Sequence, residues 1–332
     1  MIHYYVHGRG QGHATRTAAI VEVLQEAGHE VRIFVGHDGQ GTFGGHRLVV
    51  AIDSLPPGIT AGLLPLVARR MGAAVAAMRR ERPGVVISDG DGPGVWAAAA
   101  TGTPCVAVAH GLSFSHCHPP DLAGITPALW RREGRKARWA AAGSRRQIAV
   151  NFAPLAARSA TTLVARPRLG ATLRARAKAS HRIVHEDIVC YFRDDNGEAV
   201  LRRLVALGER VHLFSRARSP VANIRISPPD PESFADALYT AKAVVSSAGS
   251  QLISECLALA VPHYALYRGD DLEQRLNVAM LRGSGLGAGG ALESTSTHDL
   301  RSFLEQRSRG GARLWCGRDV AEVMVEVVEQ WV

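Results

Sequence analysis

The chain alternates short apolar runs with segments of helical spacing over nearly all of its 332 residues. Runs that are apolar throughout, rather than at every second position, are typical of parallel strands covered by helices on both faces. The predicted strands are residues 2–6, 31–35, 48–51, 85–88, 104–109 and 147–151, followed by 188–192, 211–214, 224–226, 243–246 and 263–266. The alternation therefore predicts an α/β fold made of two doubly wound parallel sheets.

A break in this alternation lies between residues 167 and 185, where strand signals stop and a basic, alanine-rich segment runs. The chain is also too long for one ordinary core. We therefore predict an N-terminal domain over 1–170, a second domain over 171–316, and a C-terminal helix in 317–332 that packs back on the first domain. Because ligands bind at the carboxyl ends of parallel strands, we expect the two domains to face each other across a cleft.

Composition indicates a globular protein in a reducing compartment. Hydrophobic residues make up 46% of the chain, and its first residues lack the basic start and long apolar core of a signal peptide. The five cysteines are scattered and form no CxxC pair, so we expect reduced thiols that act as small buried side chains. The expected location is the cytoplasm.

The net charge of +9 is concentrated in three basic stretches between residues 131 and 182. One interpretation is a surface that contacts an anionic membrane from its inner face; the other is an ordinary solvated face. Nucleic acid is the weaker candidate partner, because only Trp130 and Trp139 could stack on bases in this region.

A candidate nucleotide site lies in the last third of the chain. A buried strand runs into a turn of small residues, which includes Gly249 and Ser250 and opens a helix. Such a turn presents backbone N–H groups that can bind a phosphate. Glu255 comes about one and a half turns into the helix, at a distance that suits a ribose hydroxyl. Glu273 and Gln274 follow the next strand at the same sheet edge, and the whole arrangement indicates a nucleotide-sugar site.

The first strand runs into a glycine-rich loop at residues 7–13. Its glycines fall at every second position, which differs from a dinucleotide fingerprint, but Gly10 and Gly12 still let an acceptor approach the backbone. His13, at the helix start, is a candidate general base, because the pKa of imidazole lies near working pH. The alternative is that His13 caps the helix or positions the loop. Arg16, one turn later on the same face, could bind an anion.

Polar residues follow several other strands. Asp89 ends a strand and could orient His13, bind an acceptor hydroxyl, or begin the next helix as an Asx-type turn. His110 has the same ambiguity, and Arg193 could contact a diphosphate or lie in a plain turn. The His-Cys-His run at 116–118 cannot easily place all three side chains on one tetrahedral ion, so we expect no metal site.

With these motifs the chain resembles the GT-B glycosyltransferases, near the lipid-linked N-acetylglucosaminyl transferase of peptidoglycan synthesis and the monogalactosyl-diacylglycerol synthases (family 28-like). It is similar still more to microbial glycosyltransferases that open with a G-x-G-x-G-H-A-[ST]-R loop, here residues 8–16. The resemblance covers both ends of the chain and implies two Rossmann-like domains that face each other across a cleft. The sequence departs from the family at 193–197, where the family has a glycine-rich loop.

The resemblance also implies roles for single residues. Gly249 and Ser250 would bind the phosphates and Glu255 the ribose. Asn277 would brace the loop, and the segment 231–234 would contact the base edge through backbone groups. Together, the predicted donor-binding residues are Arg193, Phe234, Gly249, Ser250, Glu255, Glu273 and Gln274; the predicted acceptor-binding residues are Gly10, Gly12, Arg16 and His110; and the predicted catalytic residues are His13 and Asp89.

We therefore predict a metal-independent glycosyltransferase that needs no cofactor. It would move a hexosyl group from a nucleotide-sugar, with a UDP-sugar as the first expectation, to a hydroxyl acceptor. The first alternative is an epimerase or hydrolase of the same fold. The second is a non-catalytic protein that binds anionic polymers or membranes.

Overall fold

The computed structural model describes residues 1–7, 11–43, 46, 48–56, 62–178, 184–193, 196–306 and 315–332. The strands are β1 Ile2–Val6, β2 Val31–Val35, β3 Val49–Ala51, β4 Val85–Asp89, β5 Cys105–Ala109, β6 Arg146–Val150, β7 Thr162–Ala165, β8 Asp187–Tyr191, β9 Arg210–Phe214, β10 Arg225–Ser227, β11 Ala243–Ser247, β12 His263–Tyr267 and β13 Ala288–Ala291. The helices are α1 Gln11–Glu26, α2 Leu63–Glu81, α3 Gly92–Thr101, α4 Leu112–His116, α5 Pro127–Ala140, α6 Ala171–Ala177, α7 Glu198–Ala206, α8 Pro231–Thr240, α9 Ser250–Ala258, α10 Leu272–Gly283, α11 Thr297–Gln306 and α12 Val320–Val328, with a short 3-10 helix at His37–Phe43.

These elements form two units. Unit 1 contains Met1–Pro119, Thr126–Arg168 and Cys316–Val332, and unit 2 contains Pro120–Ile125 and Leu169–Trp315. Segment 120–125 belongs with unit 2, which the sequence did not predict, and there Leu122 packs beside Gly283 of α10. Each unit is a parallel sheet with helices, so the predicted fold of two doubly wound sheets is confirmed.

The sheet of unit 1 has the strand order β3-β2-β1-β4-β5-β6-β7, and every neighbouring pair is parallel. Alternate residues of β1 face opposite sides of the sheet. Tyr4 lies in a core that contains residues of α1 and α12, whereas Tyr5 lies in a core that contains Phe34 and residues of α2 and α3. The apolar face of α12, which includes Met324, therefore completes one side of unit 1.

The sheet of unit 2 has the order β10-β9-β8-β11-β12-β13 and is also parallel throughout. Val189, Val244 and Cys256 lie in one core, which α8 and α9 cover, and Ile188 lies in another core with residues of α7 and α11. Four cysteines are buried, as expected; Cys316 is exposed, so the expectation was wrong for this one. Within the described ranges, no helix combines the length and the apolarity that crossing a membrane requires.

Two strands were not predicted from the sequence, and both lie at the edge of a sheet. The sequence of β13 is Ala-Gly-Gly-Ala, which contains none of the β-branched or aromatic residues that favour strands. Pairing with β12 produces this strand instead, and Gly289 allows the close approach, because a Cβ there would lie 2.1 Å from the Ala265 carbonyl oxygen. The strand β7 similarly depends on its pairing with β6.

Candidate active site

The carboxyl ends of β1 and β4 lie side by side in unit 1, at the point where the strand order reverses. Such a switch point is where open α/β sheets bind ligands. Val6 is paired with Asp89, and the backbone N–H of His7 donates to the Asp89 carbonyl over 2.9 Å. Because α1 begins directly after this edge, its first turn brings His13 to the Asp89 side chain. The structure thus joins two residues that are 76 positions apart.

The His13 ring and the Asp89 carboxylate form a short hydrogen bond, with Nδ1 and Oδ1 separated by 2.6 Å. An ionised carboxylate can only accept, so Nδ1 donates to it, and in the neutral form of the ring Nε2 then carries the lone pair. The Asp89 side chain is completely buried, whereas the His13 side chain is 30% exposed. This arrangement, a buried carboxylate behind a partly exposed imidazole, makes Nε2 able to take a proton from a bound hydroxyl.

Arg16 and Thr17 also donate to Asp89. Arg16 Nε lies 2.8 Å from Oδ2, Arg16 Nη2 donates to Oδ1, and Thr17 Oγ1 lies 3.4 Å from Oδ2. Burial alone would raise the pKa of Asp89, but the charges of Arg16 and His13 lower it to about 2. The Asp89 carboxylate is therefore charged and lies buried behind His13, Arg16 and Thr17. The Arg16 side chain is buried against Asp89, so its binding of an acceptor stays a prediction that this placement does not favour.

The sequence did not indicate two residues that pack on the His13 ring. Gly90 has a φ of 70°, and a Cβ added to it would lie 3.1 Å from His13 Cε1. The His7 ring meets the His13 ring edge-on, with centroids 5.4 Å apart. A glycine directly after a strand-ending aspartate is the signal that could have identified Gly90, because both the left-handed backbone and the close ring contact require glycine.

The other residues predicted to bind the acceptor lie in different surroundings. His110 is buried, and its Nδ1 donates to the Val150 carbonyl over 3.0 Å. Its ring packs between Phe114 and Phe152, so the contact with an acceptor stays a prediction that this packing does not favour. Gly12 lies in the first turn of α1, and Gly10 lies outside the described residues.

A second switch point lies in unit 2, where β8 and β11 are neighbours. The strand β11 ends at Ser247, and α9 begins at Ser250 after the extended residue Gly249. Gly249 supplies no side-chain cap, and a Cβ added to it would contact nothing within 4 Å. The first N–H groups of a helix lack partners within the helix. The predicted small-residue turn therefore leads into a helix start that has room for an anionic group.

Glu255 is almost completely buried in α9, where only 6% of its surface is exposed. Gln251, one turn earlier, donates from Nε2 to Glu255 Oε1 over 2.9 Å. Burial raises the pKa of Glu255 to about 7, and the hydrogen bond from Gln251 offsets this only in part. A carboxylate that is costly to ionise, at a sheet edge that can bind ligands, is a candidate for hydroxyl recognition.

The start of α10 lies beside this turn. Asn277 Nδ2 donates to the Ala248 carbonyl over 3.0 Å, so Asn277 braces the turn as predicted. Asp271 caps α10 by accepting from the backbone N–H of Gln274 over 3.0 Å. Glu273 and Gln274 therefore occupy the first turn of a helix that follows β12, the strand next to β11.

Arg193 lies two residues after the end of β8, beside the same edge of the sheet. Its backbone N–H donates to Ser247 Oγ over 3.1 Å, and its guanidinium lies 3.9 Å from the Asp271 carboxylate. The side chain is 56% exposed, so it can exchange this loose ion pair for a phosphate. Arg193 thus places a basic side chain beside the predicted diphosphate turn, although the two residues that follow it lie outside the described part of the chain.

The surroundings of Phe234 differ from those expected for a segment that contacts a base through its backbone. The backbone N–H groups of Ser233 and Phe234 both donate to Asp230, which caps α8, so they are not available for the edge of a base. The Phe234 ring packs edge-on against Tyr191 and Phe214, with centroids 6.0 and 5.0 Å away. These two N–H groups therefore have other partners, the contact of segment 231–234 with a base stays a prediction, and Phe234 presents a partly exposed ring.

The predicted metal-free character remains an expectation. Across the residues that the structure describes, no group of three or more His, Cys, Asp or Glu side chains could hold a metal ion. In the His-Cys-His run, His116 bonds to Ser115 over 2.7 Å, and the carbonyl of buried Cys117 accepts from Trp130 and Arg158.

A family model for glycosyl transferase family 1 matches residues 61–307 of the chain. This range includes Asp89 and every predicted donor-binding residue, but it begins after His13. No curated protein matches the chain.

Solved structures match over almost the whole length. MurG from Acinetobacter baumannii is 15% identical, with a TM-score of 0.62, and the match covers 99% of each chain. The glycosyltransferase SsfS6 from Streptomyces sp. SF2575, complexed with thymidine diphosphate, is 15% identical with a TM-score of 0.63 and 99% coverage of each chain. The UDP-GlcNAc 2-epimerase from Neisseria meningitidis, bound to UDP-GlcNAc, is 13% identical with a TM-score of 0.64, covering 99% of this chain and all of the epimerase. At these identities the likeness shows the fold alone.

Proposed function

Because the chain belongs to glycosyl transferase family 1 and is therefore a glycosyltransferase, we propose that it moves a hexosyl group from a UDP-sugar to an acceptor hydroxyl without a metal ion. The observation that carries this proposal is the His13–Asp89 pair, a hydrogen-bonded imidazole and carboxylate at the switch point of unit 1. The domains that we propose for these tasks are 1–170 for the acceptor and 171–316 for the donor, with the helix of 317–332 added to the first.

In the proposed reaction His13 Nε2 takes the proton of the acceptor hydroxyl. The acceptor oxygen forms the new bond to the anomeric carbon of the sugar, and the bond from that carbon to the diphosphate oxygen breaks. Asp89 keeps the Nδ1–H tautomer in place and stabilises the imidazolium that forms, as a buried carboxylate does in related acid–base pairs. Arg16 keeps Asp89 ionised, because its charge lowers the pKa of that carboxyl.

The diphosphate of the donor would bind at the start of α9. Backbone N–H groups at Ser250 and the following residues, together with the positive end of the helix dipole, favour an anion there. Arg193 would add a mobile positive charge, in the place that a metal ion takes in other enzymes. Glu255 would accept from ribose hydroxyls, and Glu273 and Gln274 would bind the sugar. Phe234 would offer its ring to the base.

The test is product analysis with a panel of radiolabelled UDP-, TDP- and GDP-sugars, with and without acceptor alcohols, in the presence of a chelator. Acceptor-dependent transfer that survives chelation is expected. His13→Ala should lose most of the transfer rate, while His298→Ala, which removes an exposed histidine of unit 2, should retain it. Undiminished turnover by His13→Ala would eliminate His13 as the base.

A second candidate function is epimerisation or hydrolysis of the same donor, and the likeness to an epimerase bound to UDP-GlcNAc favours it. The same assay separates the two. An epimer or a free sugar that forms at full rate without an acceptor would replace the transferase proposal.

We also propose that α5 makes peripheral contact with an anionic membrane. The helix buries only Trp130 and Gly134, and its exposed residues include Arg131, Arg132, Arg135, Lys136 and Arg138. Trp139 is 60% exposed and packs edge-on against Trp96, with centroids 4.2 Å apart. Exposed tryptophan beside clustered basic side chains is the combination that anionic interfaces bind.

This surface is tested by sedimentation with vesicles of phosphatidylglycerol and of phosphatidylcholine. Binding to the anionic vesicles only, reduced by Trp139→Ala and by Arg132→Glu, is expected. Equal sedimentation of the wild type and both variants, or tighter binding to duplex DNA than to vesicles, would contradict a membrane surface.

A further inference from the structure

Unit 1 contains a groove of about 500 Å³ that the reaction proposed above does not use. It lies between α2 and the strands β1, β2 and β3, on the side of the sheet where Tyr5 and Phe34 are packed. His13 and Asp89 instead meet beside Tyr4, which faces α1. The groove and the His13–Asp89 pair are therefore on opposite faces of one sheet.

The base of the groove is apolar. Tyr5 and Phe34 are stacked there with ring centroids 4.4 Å apart and an angle of 5° between the rings, and Val50 continues the surface. On the helix side, α2 contributes alanines at positions 73, 74 and 77, which leave the space that larger side chains would fill. Pockets of this size with an apolar lining and a few polar groups are typical of small-molecule sites.

Four arginines and two aspartates supply the charge of the lining: Arg32, Arg69, Arg70, Arg80, Asp53 and Asp91. Each guanidinium has an acidic neighbour; Arg69 bonds to Asp53 over 2.6 Å, and Arg32 bonds over 2.5 Å to Glu81, which Arg80 also contacts. A guanidinium has five N–H donors, so one carboxylate contact leaves several of them available. The groove thus combines an apolar base with an excess of cationic donors.

Three donors of its lining residues, Arg32 Nε among them, are buried without a partner among the described residues, and two of the three belong to almost fully buried residues. The Tyr5 hydroxyl and Arg70 Nη1 make no hydrogen bond to any residue that the structure describes, and the two residues are only 2% and 6% exposed. Leaving such a group unsatisfied is unfavourable, because it loses its hydration without gaining another partner. Burial raises the pKa of Tyr5, so its hydroxyl is a neutral donor. Both groups would be satisfied by a ligand atom that only accepts, such as a carboxylate or phosphate oxygen.

The position of Arg70 is fixed by its other nitrogen. Arg70 Nη2 donates to Asp91 Oδ2 over 2.5 Å, and Asp91 Oδ1 caps α3 by accepting from the backbone N–H of Gly94 over 2.9 Å. The buried guanidinium is therefore held by Asp91, whose own side chain is fixed as the N-terminal cap of α3. A cation held in this way is pre-organised for an anion, which lowers the cost of binding.

From these observations we propose that the groove is a second ligand site, and that it binds a small organic anion with an apolar body, such as an alkyl phosphate or alkyl carboxylate. The anionic head contacts Arg70 and Tyr5, and the alkyl body lies on the Tyr5–Phe34 stack. The proposal is independent of the transfer reaction, since the groove shares no residue with the proposed donor and acceptor sites.

Titration calorimetry of the full chain with octyl phosphate, octanoate, octanol and inorganic phosphate tests the proposal. We expect saturable binding of octyl phosphate or octanoate and much weaker binding of octanol and of inorganic phosphate. Ala73→Phe fills the groove and should weaken binding about tenfold or more, whereas Ala76→Phe, on an exposed alanine of the same helix outside the groove, should not. Tyr5→Phe should weaken the binding of octyl phosphate but leave the binding of octanol unchanged.

The contribution of the positive charge of the groove is tested by a second matched pair of variants on α2. Arg80 lines the groove and its neighbour Arg79 does not, so Arg80→Ala should weaken binding more than Arg79→Ala, although both remove one positive charge. Absence of saturable binding to the wild type would overturn the proposal. So would equal effects of Ala73→Phe and Ala76→Phe. Tight binding of inorganic phosphate alone would show a site for free anions and overturn the role of the apolar body.

Discussion

The charge of Asp89 is completely buried and is stabilised by the side chains around it. His13, Arg16 and Thr17 all donate to its two oxygens, so the cost of removing the carboxylate from water is offset by charged hydrogen bonds. The result is one carboxylate that fixes the ring of His13 and holds a negative charge behind it. Of the interpretations open at the start, the role of orienting His13 is the one that this geometry favours.

We expect Asp89→Asn to lower kcat by a factor on the order of 10²–10⁴, because a neutral amide neither fixes the Nδ1–H tautomer nor stabilises the imidazolium. Transfer rates of the purified variant measure the effect. Thr17→Val serves as its control, since it removes only the longest contact to Asp89 and should stay within about tenfold of the wild type. Similar rates for Asp89→Asn and the wild type would exclude the positioning role.

In the proposed donor site, Glu255 would make the binding of ribose depend on pH. Burial raises the pKa of its carboxyl to about 7, so the folded state holds this proton more tightly than the unfolded state. The contribution to stability therefore falls as pH rises from about 4.5 to about 7, and stays low above that range. In the proposed site the same carboxylate, once ionised, would be the better acceptor for ribose hydroxyls.

We expect Glu255→Gln to gain stability over the wild type as pH rises from about 5 to about 8, by about 1–3 kcal/mol, because the amide has no charge to bury. Denaturant unfolding at the two pH values measures this. The variant should also lose affinity for UDP, and the affinity of the wild type for UDP should rise across the same pH range. Parallel pH dependence of stability in the two proteins would contradict the buried titration.

Among the structural elements, the turn between β4 and α3 is the one on which the position of His13 most depends. Gly90 has a left-handed backbone and lies against the His13 ring, and Asp91 begins the next helix as its cap. A turn that both ends a strand and packs on a reactive ring tolerates little change. Its counterpart in unit 2 is the turn before α9, which the Asn277 side chain braces from α10.

We expect Gly90→Ala to lose both stability and activity. The left-handed backbone makes alanine unfavourable by about 1–2 kcal/mol, and the new Cβ would press on His13 Cε1. Gly102→Ala is the matched control: Gly102 has a φ of 73°, but a Cβ there contacts nothing within 4 Å. Both variants should be destabilised in thermal unfolding, and only Gly90→Ala should lose its transfer rate. A comparable loss of activity in the control would mean that backbone strain, not ring contact, is responsible.

At the scale of the whole molecule, the chain returns to unit 1 after it has built unit 2. The last helix, α12, lies in the same core as α1 and β1, and its Met324 is completely buried. In unit 2 a comparable position is Leu300 of α11, which is also completely buried. Each unit therefore has its own core, and its stability can be changed separately.

We expect Met324→Ala to destabilise unit 1 by about 2–5 kcal/mol, because it leaves a cavity in a close-packed core. Hydrogen exchange, followed peptide by peptide, should rise in Met1–Pro119 and remain low in Leu169–Trp315. Leu300→Ala should show the reverse pattern, and UDP should lower exchange around Ser250–Ala258. Uniform changes over both units in either variant would mean that the two cores unfold as one.

The sequence by itself determined the two parallel sheets, most strand positions, the turn before α9 and the candidate base, because apolar periodicity and turn residues are local signals. It could not determine that Arg16 is buried against Asp89, that His110 lies between two phenylalanines, or that the Ala-Gly-Gly-Ala segment of β13, which has poor strand propensity, still forms an edge strand. Those outcomes depend on burial and on partners that are distant in the chain, which only the packed tertiary structure brings together.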